Sequence, residues 1–130
     1  MEFRLIDYSP VLYGGDVPPE RSGKFIQAVD RDEDVELLIL SPYDLSKYHA
    51  QILERYCHLN GIEGRYVKMP TSFLVTGADI DVIGGGHWRI EGGTLRLSGE
   101  STMYGRFDPD GLVGKIAALP AYRAMSVVVE

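Results

Sequence analysis

Much of the chain alternates between apolar and polar residues with the two-residue period of β-strands. Residues 24–29, 79–83 and 94–99 alternate in this way, and residues 125–129 predict a closing strand. Residues 35–40 are almost continuously apolar, which is typical of a strand covered on both faces. Fifteen glycines and seven prolines divide the chain into short segments, a pattern that favours strands and turns over a helical bundle.

Two segments have helical spacing instead. In the first, Asp44 or Ser46 can cap the first turn, and Asn60-Gly61 supplies a left-handed stop. The second predicted helix follows Asp108-Pro109, an N-cap with proline at the first helical position, and ends at Pro120. The apolar residues at helical spacing are Leu45, Tyr48, Ile52, Tyr56 and Leu59 in the first helix, and Leu112, Val113, Ile116 and Leu119 in the second.

The remaining segments predict loops and short strands. Residues 3–13 predict one or two strands broken at Ser9-Pro10, and residues 14–23 predict a loop. Residues 65–76 are β-prone but divided by Pro70, which predicts a loop with one or two short strands. The glycines at 84–86 and 92–93 bracket a short segment and predict a kinked hairpin.

Strands, hairpins and two helices in mixed order predict an α+β domain with a single mixed β-sheet flanked by two helices. The length of 130 residues, with 45% hydrophobic and 25% charged residues, predicts one domain spanning residues 1–130.

The net charge limits the possible binding partners, and the cysteine content indicates the cellular compartment. A formal net charge of −6 argues against duplex nucleic acid as a partner, although a local basic pocket for one phosphate stays compatible with it. Cys57 is the only cysteine, so an intramolecular disulfide is impossible and a reducing cytoplasm is the expected location. The longest stretch without a charge has ten residues, 69–78, and the start of the chain lacks the order of a signal peptide, so we expect no membrane association.

His49 is the main candidate for chemistry. It falls near the N-terminus of the first predicted helix, where the helix dipole disfavours the imidazolium and the free amides favour an anion. A neutral imidazole beside an anion site suits phosphate chemistry, but a half-buried structural histidine fits the same pattern. His58 lies nine residues further on, about 900° around the helix at about 100° per residue. The two histidines therefore face opposite sides, and we expect no shared metal site and no metal-dependent chemistry.

Other weak candidates come from glycine-rich and hydroxyl-bearing segments. The triple glycine at 84–86 could expose amides to an oxyanion or could simply form a bulge. His87 and Arg89 are two residues apart and should share a strand face opposite Trp88 and Ile90. The turn at 100–105 is either an anion nest or an ordinary strand exit, and Lys24 is either a ligand to that anion or an ordinary surface lysine.

Four of these short motifs occur in an order that resembles the phosphohistidine phosphatase family, also called the Janus/Ocnus family. They are KFI at 24–26, KYHAQI at 47–52, IGGG at 83–86 and GESTMYG at 99–105. The resemblance covers residues 24–105. It implies a small α/β domain with one mixed sheet and two helices that removes phosphate from phosphohistidine without a metal or other cofactor.

The resemblance also implies roles for individual residues. His49 occupies the position of the essential histidine, Lys24 that of the phosphate-binding lysine, and the Ala50 amide, Ser101 and the Met103 backbone would form the phosphate cradle. The chain departs from the family where Ser41 and His87 replace two arginines. Arg89 could restore one guanidinium, so His87 and Arg89 are expected to bind substrate. Residues 65–77 resemble an insertion that would cover or reshape the site.

Three functional hypotheses follow. The first is a metal-independent phosphatase acting on a phosphohistidine-bearing protein or a small phosphoramidate, with His49 as general base or as nucleophile. The second is a non-catalytic module that binds a phosphorylated or anionic partner. The third is a structural interaction domain without a small-ligand site.

Overall fold

The computed structural model describes all residues, 1–130, as eight strands, three α-helices and one 3₁₀ turn at Pro120–Tyr122. The helices are α1 (Ser9–Tyr13), α2 (His49–Leu59) and α3 (Leu112–Ala117). The strands are β1 (Glu2–Asp7), β2 (Arg21–Asp30), β3 (Val35–Pro42), β4 (Gly64–Lys68), β5 (Ser72–Val75), β6 (Ile80–Glu91), β7 (Thr94–Ser98) and β8 (Ser126–Val129).

Six strands form one mixed sheet in the order β1-β3-β2-β6-β7-β8. The β1–β3 and β7–β8 pairs are parallel, and the three central pairs are antiparallel. The α+β class and the mixed sheet are confirmed. β4 and β5 form a separate hairpin, which agrees with the short strands expected within residues 65–76.

Each face of the sheet has its own core. Helix α2 buries Ile52, Leu53 and Tyr56 against one face, where Ile26 and Ile39 meet them. Helix α3 buries Leu112 and Ile116 against the opposite face, together with the aromatic side chains Phe25, Trp88 and Phe107. The two longer helices therefore flank the sheet from opposite sides. None of the three helices has both the length and the apolar composition that a membrane-spanning helix requires.

The structure corrects the start of both predicted helices. Helix α2 begins at His49 rather than near Leu45, because the preceding turn is closed differently: the side-chain oxygen of Gln51 accepts the amides of Lys47 and Tyr48. Neither candidate cap acts as one, since Tyr48 occupies the N-cap position. The hydroxyl of Ser46 instead bonds that of Ser41 at 2.7 Å.

Helix α3 begins at Leu112, three residues later than the Asp108-Pro109 signal predicts. The amide of Asp108 donates to the Gln27 side chain, and its carbonyl accepts from the same side chain, so this segment is held against the sheet. Gly111, with a φ of +70°, then turns the chain into the helix. Leu112 and Ile116 are fully buried, whereas Val113 is 43% exposed, so Val113 does not belong to the buried face of the helix with which its spacing groups it.

Two further predictions about strands need correction. The prediction of strand as far as Tyr13 is wrong, because the short helix α1 begins at Ser9. The Asp7 carboxylate accepts the Ser9 amide at 2.8 Å, and proline occupies the first turn. Strand β6 runs without interruption through the triple glycine. Gln27 pairs with Gly84 and Ala28 with Val82, so Ile83 is the extra residue and the bulge lies just before the triple glycine, whose three residues pair regularly with β2.

Candidate functional site

A cavity of about 490 Å³ opens where the start of α2, the middle of the sheet and the turn after β7 meet. It brings together five of the residues singled out from the sequence, which come from four separate segments of the chain. Its lining consists of Lys24, Tyr48, His49, Thr71, His87, Glu100, Ser101, Thr102 and Met103.

His49 is the first residue of α2 and is only 7% exposed. Its Nε2 lies 2.9 Å from the carbonyl oxygen of Gly86. A carbonyl oxygen can only accept a hydrogen bond, so Nε2 carries the proton and Nδ1 keeps a free lone pair. The bond thus fixes both the orientation of the ring and the nitrogen that is available as a base or nucleophile.

The imidazole of His49 is neutral at pH 7. Its pKa is lowered from 6.5 to about 4: burial is the main cause, the bond to the Gly86 carbonyl opposes the shift, and the charges of Lys24 and His87 contribute to it. From the sequence, the helix dipole is the expected reason for a neutral His49 ring. In the structure, the main cause of the lowered pKa is the loss of solvent around the buried ring. His58, by contrast, is exposed on the far side of the helix, as the helical spacing predicts.

Gly85 separates His49 from Ser101. A Cβ added to Gly85 would lie 2.9 Å from Cδ2 of His49 and 3.2 Å from Cβ of Ser101. It would also lie 2.6 Å from the carbonyl oxygen of Phe25, a backbone atom that cannot easily move. Only glycine lets the strand, the histidine and the serine approach this closely.

The Ser101 turn offers hydrogen-bond donors to the cavity. Ser101 and Gly105 exchange backbone hydrogen bonds at 3.1 and 2.8 Å, and the Ser101 hydroxyl oxygen accepts the amide of Tyr104 at 3.1 Å. The amides of Thr102 and Met103 have no partner in the protein. Two adjacent unpartnered amides and a hydroxyl are the donors that an oxyanion requires.

Lys24 supplies the cavity's permanent positive charge. It pairs with His87 across β2 and β6, and its ammonium donates to the carbonyl oxygen of Lys47. The ammonium also lies 5.7 Å from the centre of the Tyr48 ring. Burial, followed by repulsion from Lys47, lowers the pKa of Lys24 below its ordinary value of 10.5.

His87 is held by Tyr43. The Tyr43 hydroxyl lies 2.7 Å from Nδ1 of His87, and burial raises the pKa of the phenol, which therefore stays protonated. A phenol donates to an imine nitrogen more readily than it accepts, so this bond places the His87 proton on Nε2. The His87 and His49 rings meet edge to face with their centres 5.9 Å apart.

Three residues singled out from the sequence do not reach the cavity with their side chains. Arg89 shares the strand face of His87 but lies outside the cavity, 3.0 Å from the Glu91 carboxylate. The side chain of Ala50 is buried. Its backbone amide, the second amide of α2, has no intrahelical partner. Ser41 is fully buried and does not line the cavity, although it pairs directly with Lys24 across β2 and β3.

The sequence assigns no individual role to four of the cavity residues: Tyr48, Thr71, Glu100 and Thr102. Tyr48 has the spacing of a core residue, which hides its position beside His49. Thr71 lies in the turn between β4 and β5, and it brings the segment expected to cover or reshape the site to the edge of the cavity. No periodic signal places a turn residue of a separate hairpin there.

No model of a known protein family matches the chain, and no curated protein sequence matches it significantly. The cavity itself is therefore the basis for proposing a function.

Proposed function

We propose that the protein is a metal-independent phosphatase that hydrolyses phosphohistidine or a related phosphoramidate, with His49 as the reacting side chain. The observation that carries this proposal is the meeting of a neutral, oriented His49 with Ser101 and Lys24 in one cavity. The order of the four sequence motifs that resemble the phosphohistidine phosphatase family supports it as well. The proposed substrate is a phosphohistidine-bearing protein or a small phosphoramidate, not a nucleic acid or a membrane lipid.

The cavity has the parts that phosphoryl transfer from nitrogen needs. A transferring phosphoryl group requires charge stabilisation on its oxygens and a correctly placed nucleophile. In this proposal the Lys24 ammonium, the unpartnered amides of Thr102 and Met103 and the Nε2–H of His87, all of residues that line the cavity, stabilise those oxygens. The Ala50 amide adds a further donor at the start of α2.

His49 can act by either of two routes. As a general base, Nδ1 takes a proton from water, the water oxygen bonds to phosphorus, and the P–N bond breaks as the leaving imidazole gains a proton. As a nucleophile, Nδ1 bonds to phosphorus directly while the substrate P–N bond breaks and the leaving imidazole gains a proton; water then cleaves the phosphohistidyl intermediate, which releases phosphate and regenerates His49. A bound phosphoryl group carries negative charge, which raises the pKa of His49 and strengthens it as a base. Acid-labile, alkali-stable phosphate trapped on His49 during turnover would identify the second route.

A non-catalytic module that binds a phosphorylated or anionic partner is the second candidate. The observation in its favour is that Lys24 is the one lysine or arginine in the cavity lining, while Glu100 adds a negative charge. A single cation is enough to bind an anion but gives less stabilisation of a charged transition state than a lysine and an arginine together.

One assay separates the two candidates: release of phosphate from a phosphohistidine peptide with a chelator in excess. Multiple turnovers support the phosphatase. Calorimetric binding of a stable phosphonate analogue, without any phosphate release from the natural linkage, supports the binding module. A purely structural domain would show neither.

We also propose that the protein resides in the reducing cytoplasm. Cys57 is the only cysteine; it lies in α2, and its side chain is buried in the core. Burial raises the pKa of its thiol to about 11, so it stays a neutral, unreactive side chain.

A further inference from the structure

A second groove adjoins the cavity along the sheet. It has a volume of about 360 Å³, and its lining includes Tyr43, His87, Arg89, Arg96 and Glu130. His87 lines both hollows, so they adjoin at this one side chain. The groove is therefore the neighbouring surface over which a ligand with its phosphoryl group at His49 can extend.

The groove lies on a part of the sheet that no helix covers. On the other face of β6 and β7, Trp88, Ile90 and Leu97 are buried in the core beside α3. On the groove side, the side chains of Arg89 and Arg96 are 66% and 51% exposed. Two long cationic side chains thus stand on an open sheet surface beside the cavity.

Arg89 and Arg96 are direct cross-strand partners in the antiparallel β6–β7 pair. Directly opposed side chains of such a pair have Cβ atoms about 5 Å apart, and like charges at this position destabilise the sheet. An anionic ligand would relieve this repulsion, since both guanidinium groups can bind one carboxylate or two neighbouring ones.

The partners that the arginines have in the protein leave most of their capacity free. Arg89 uses Nε for Glu91, and Arg96 uses Nη1 for Glu130, each at 3.0 Å. Each guanidinium has five N–H groups, so the others stay available to a ligand. Exposed ion pairs of this kind contribute little to stability, so a competing carboxylate displaces them readily.

We propose that this groove binds an acidic segment of the protein substrate, with an Asp or Glu close in sequence to the phosphohistidine. This inference rests on the proposed function, because the phosphoryl group in the cavity fixes the register of the segment. Arg89 is two residues along the strand from His87, which is about 7 Å at the rise of a strand. An extended peptide covers that distance in two residues, so the carboxylate belongs about two positions from the phosphohistidine.

The test uses two peptides that carry a stable phosphonate analogue of phosphohistidine. One has Glu two residues to either side of the analogue, and the other has Gln at the same positions. Calorimetry gives the Kd of each peptide for the wild-type protein, Arg89→Gln, Arg96→Gln and the double variant. We expect the wild-type protein to prefer the acidic peptide by about tenfold, each single variant to lose about threefold of that preference, and the double variant to lose all of it.

Arg4→Gln is the matched control, because Arg4 is a half-exposed strand arginine that also pairs with one glutamate, on the edge strand β1. It should keep the full preference. Equal Kd values for the two peptides on the wild-type protein would overturn the docking inference and show that the groove takes some other occupant. So would a preference that survives in the double variant.

A failure of the proposed function is distinguishable from a failure of this inference. Turnover of a small phosphoramidate, which is too short to reach the groove, tests only the cavity. Its rate should be unchanged in both arginine variants. If that turnover is absent while the acidic peptide still binds tighter through Arg89 and Arg96, the protein is a phosphopeptide-binding module that uses the same docking surface.

Discussion

His49 and Ser101 lie on either side of Gly85, near enough that a single added methyl group would touch both side chains. A methyl carbon at Gly85 would lie 2.9 Å from the His49 ring and 3.2 Å from Cβ of Ser101. The start of α2 and the turn after β7 therefore meet across one residue of β6. This contact makes the two segments parts of a single cavity, although they are 52 positions apart in the chain.

The first prediction concerns this contact. Gly85→Ala should lower the free energy of unfolding by about 2 kcal/mol, because the methyl group meets the Phe25 carbonyl and the His49 ring at less than normal contact distance. Denaturant unfolding measures the change. Gly15→Ala is the control, since nothing lies within 4 Å of its added methyl group, and it should be nearly neutral. Equal stability of the two variants would show that the approach is looser than described.

The second prediction is a pH dependence of stability. The pKa of His49 falls from 6.5 in the unfolded chain to about 4 in the folded protein. The unfolded state therefore binds more protons between these values, and stability is lost as the pH falls from about 6.5 towards 4, by up to about 3 kcal/mol. In His49→Gln, whose amide can still donate to the Gly86 carbonyl, this part of the pH dependence should disappear. An unchanged profile would mean that His49 is not the group responsible.

The third prediction concerns the pair Tyr43 and His87. Nitrogen NMR of His87 should show the proton on Nε2 in the wild-type protein, because the Tyr43 hydroxyl occupies Nδ1. Tyr43→Phe removes the hydrogen bond to Nδ1 of His87, so we expect a mixture of the two His87 tautomers. We also expect kcat/KM for a phosphohistidine peptide to fall about threefold. Tyr13→Phe, on α1, should change neither quantity. A wild-type His87 protonated on Nδ1 would contradict the assignment.

The fourth prediction is that Lys24 provides most of the attraction for the phosphoryl group. Lys24→Gln should weaken binding of the phosphonate analogue by about tenfold, because a partly buried charge–phosphate contact is stronger than a solvated one. The exposed Lys68, on β4, offers the control variant Lys68→Gln. If the two substitutions weaken binding equally, long-range attraction rather than direct contact accounts for the effect of Lys24.

The sequence predicts the sheet better than the ends of the helices. Strands such as residues 35–40 are recognisable because their apolar run reflects burial on both faces, which the structure confirms for all of Val35–Pro42. The helix starts depend on tertiary contacts: Gln27 holds the segment at Asp108, and Gln51 closes the turn before His49. No local periodicity contains those bonds.

In the candidate site, too, the sequence reveals the local features but not those that depend on tertiary contacts. A histidine at a helix start is visible in the sequence, but its tautomer depends on the Gly86 carbonyl, 37 positions away. Arg89 is correctly placed on the face of His87, yet it lies two residues further along β6, beyond the cavity and opposite Arg96 on β7. Thr71 reaches the cavity only because a separate hairpin brings it there.

The most direct test of the central claim compares two histidines on the same helix. Initial rates of phosphate release from a phosphohistidine peptide, with excess chelator, are measured for the wild-type protein, His49→Ala and His58→Ala. Circular dichroism shows that each variant is folded. We predict that His58→Ala keeps the wild-type rate within about twofold and that His49→Ala loses at least about a hundredfold. A folded His49→Ala protein that releases phosphate at the wild-type rate would contradict the role assigned to His49.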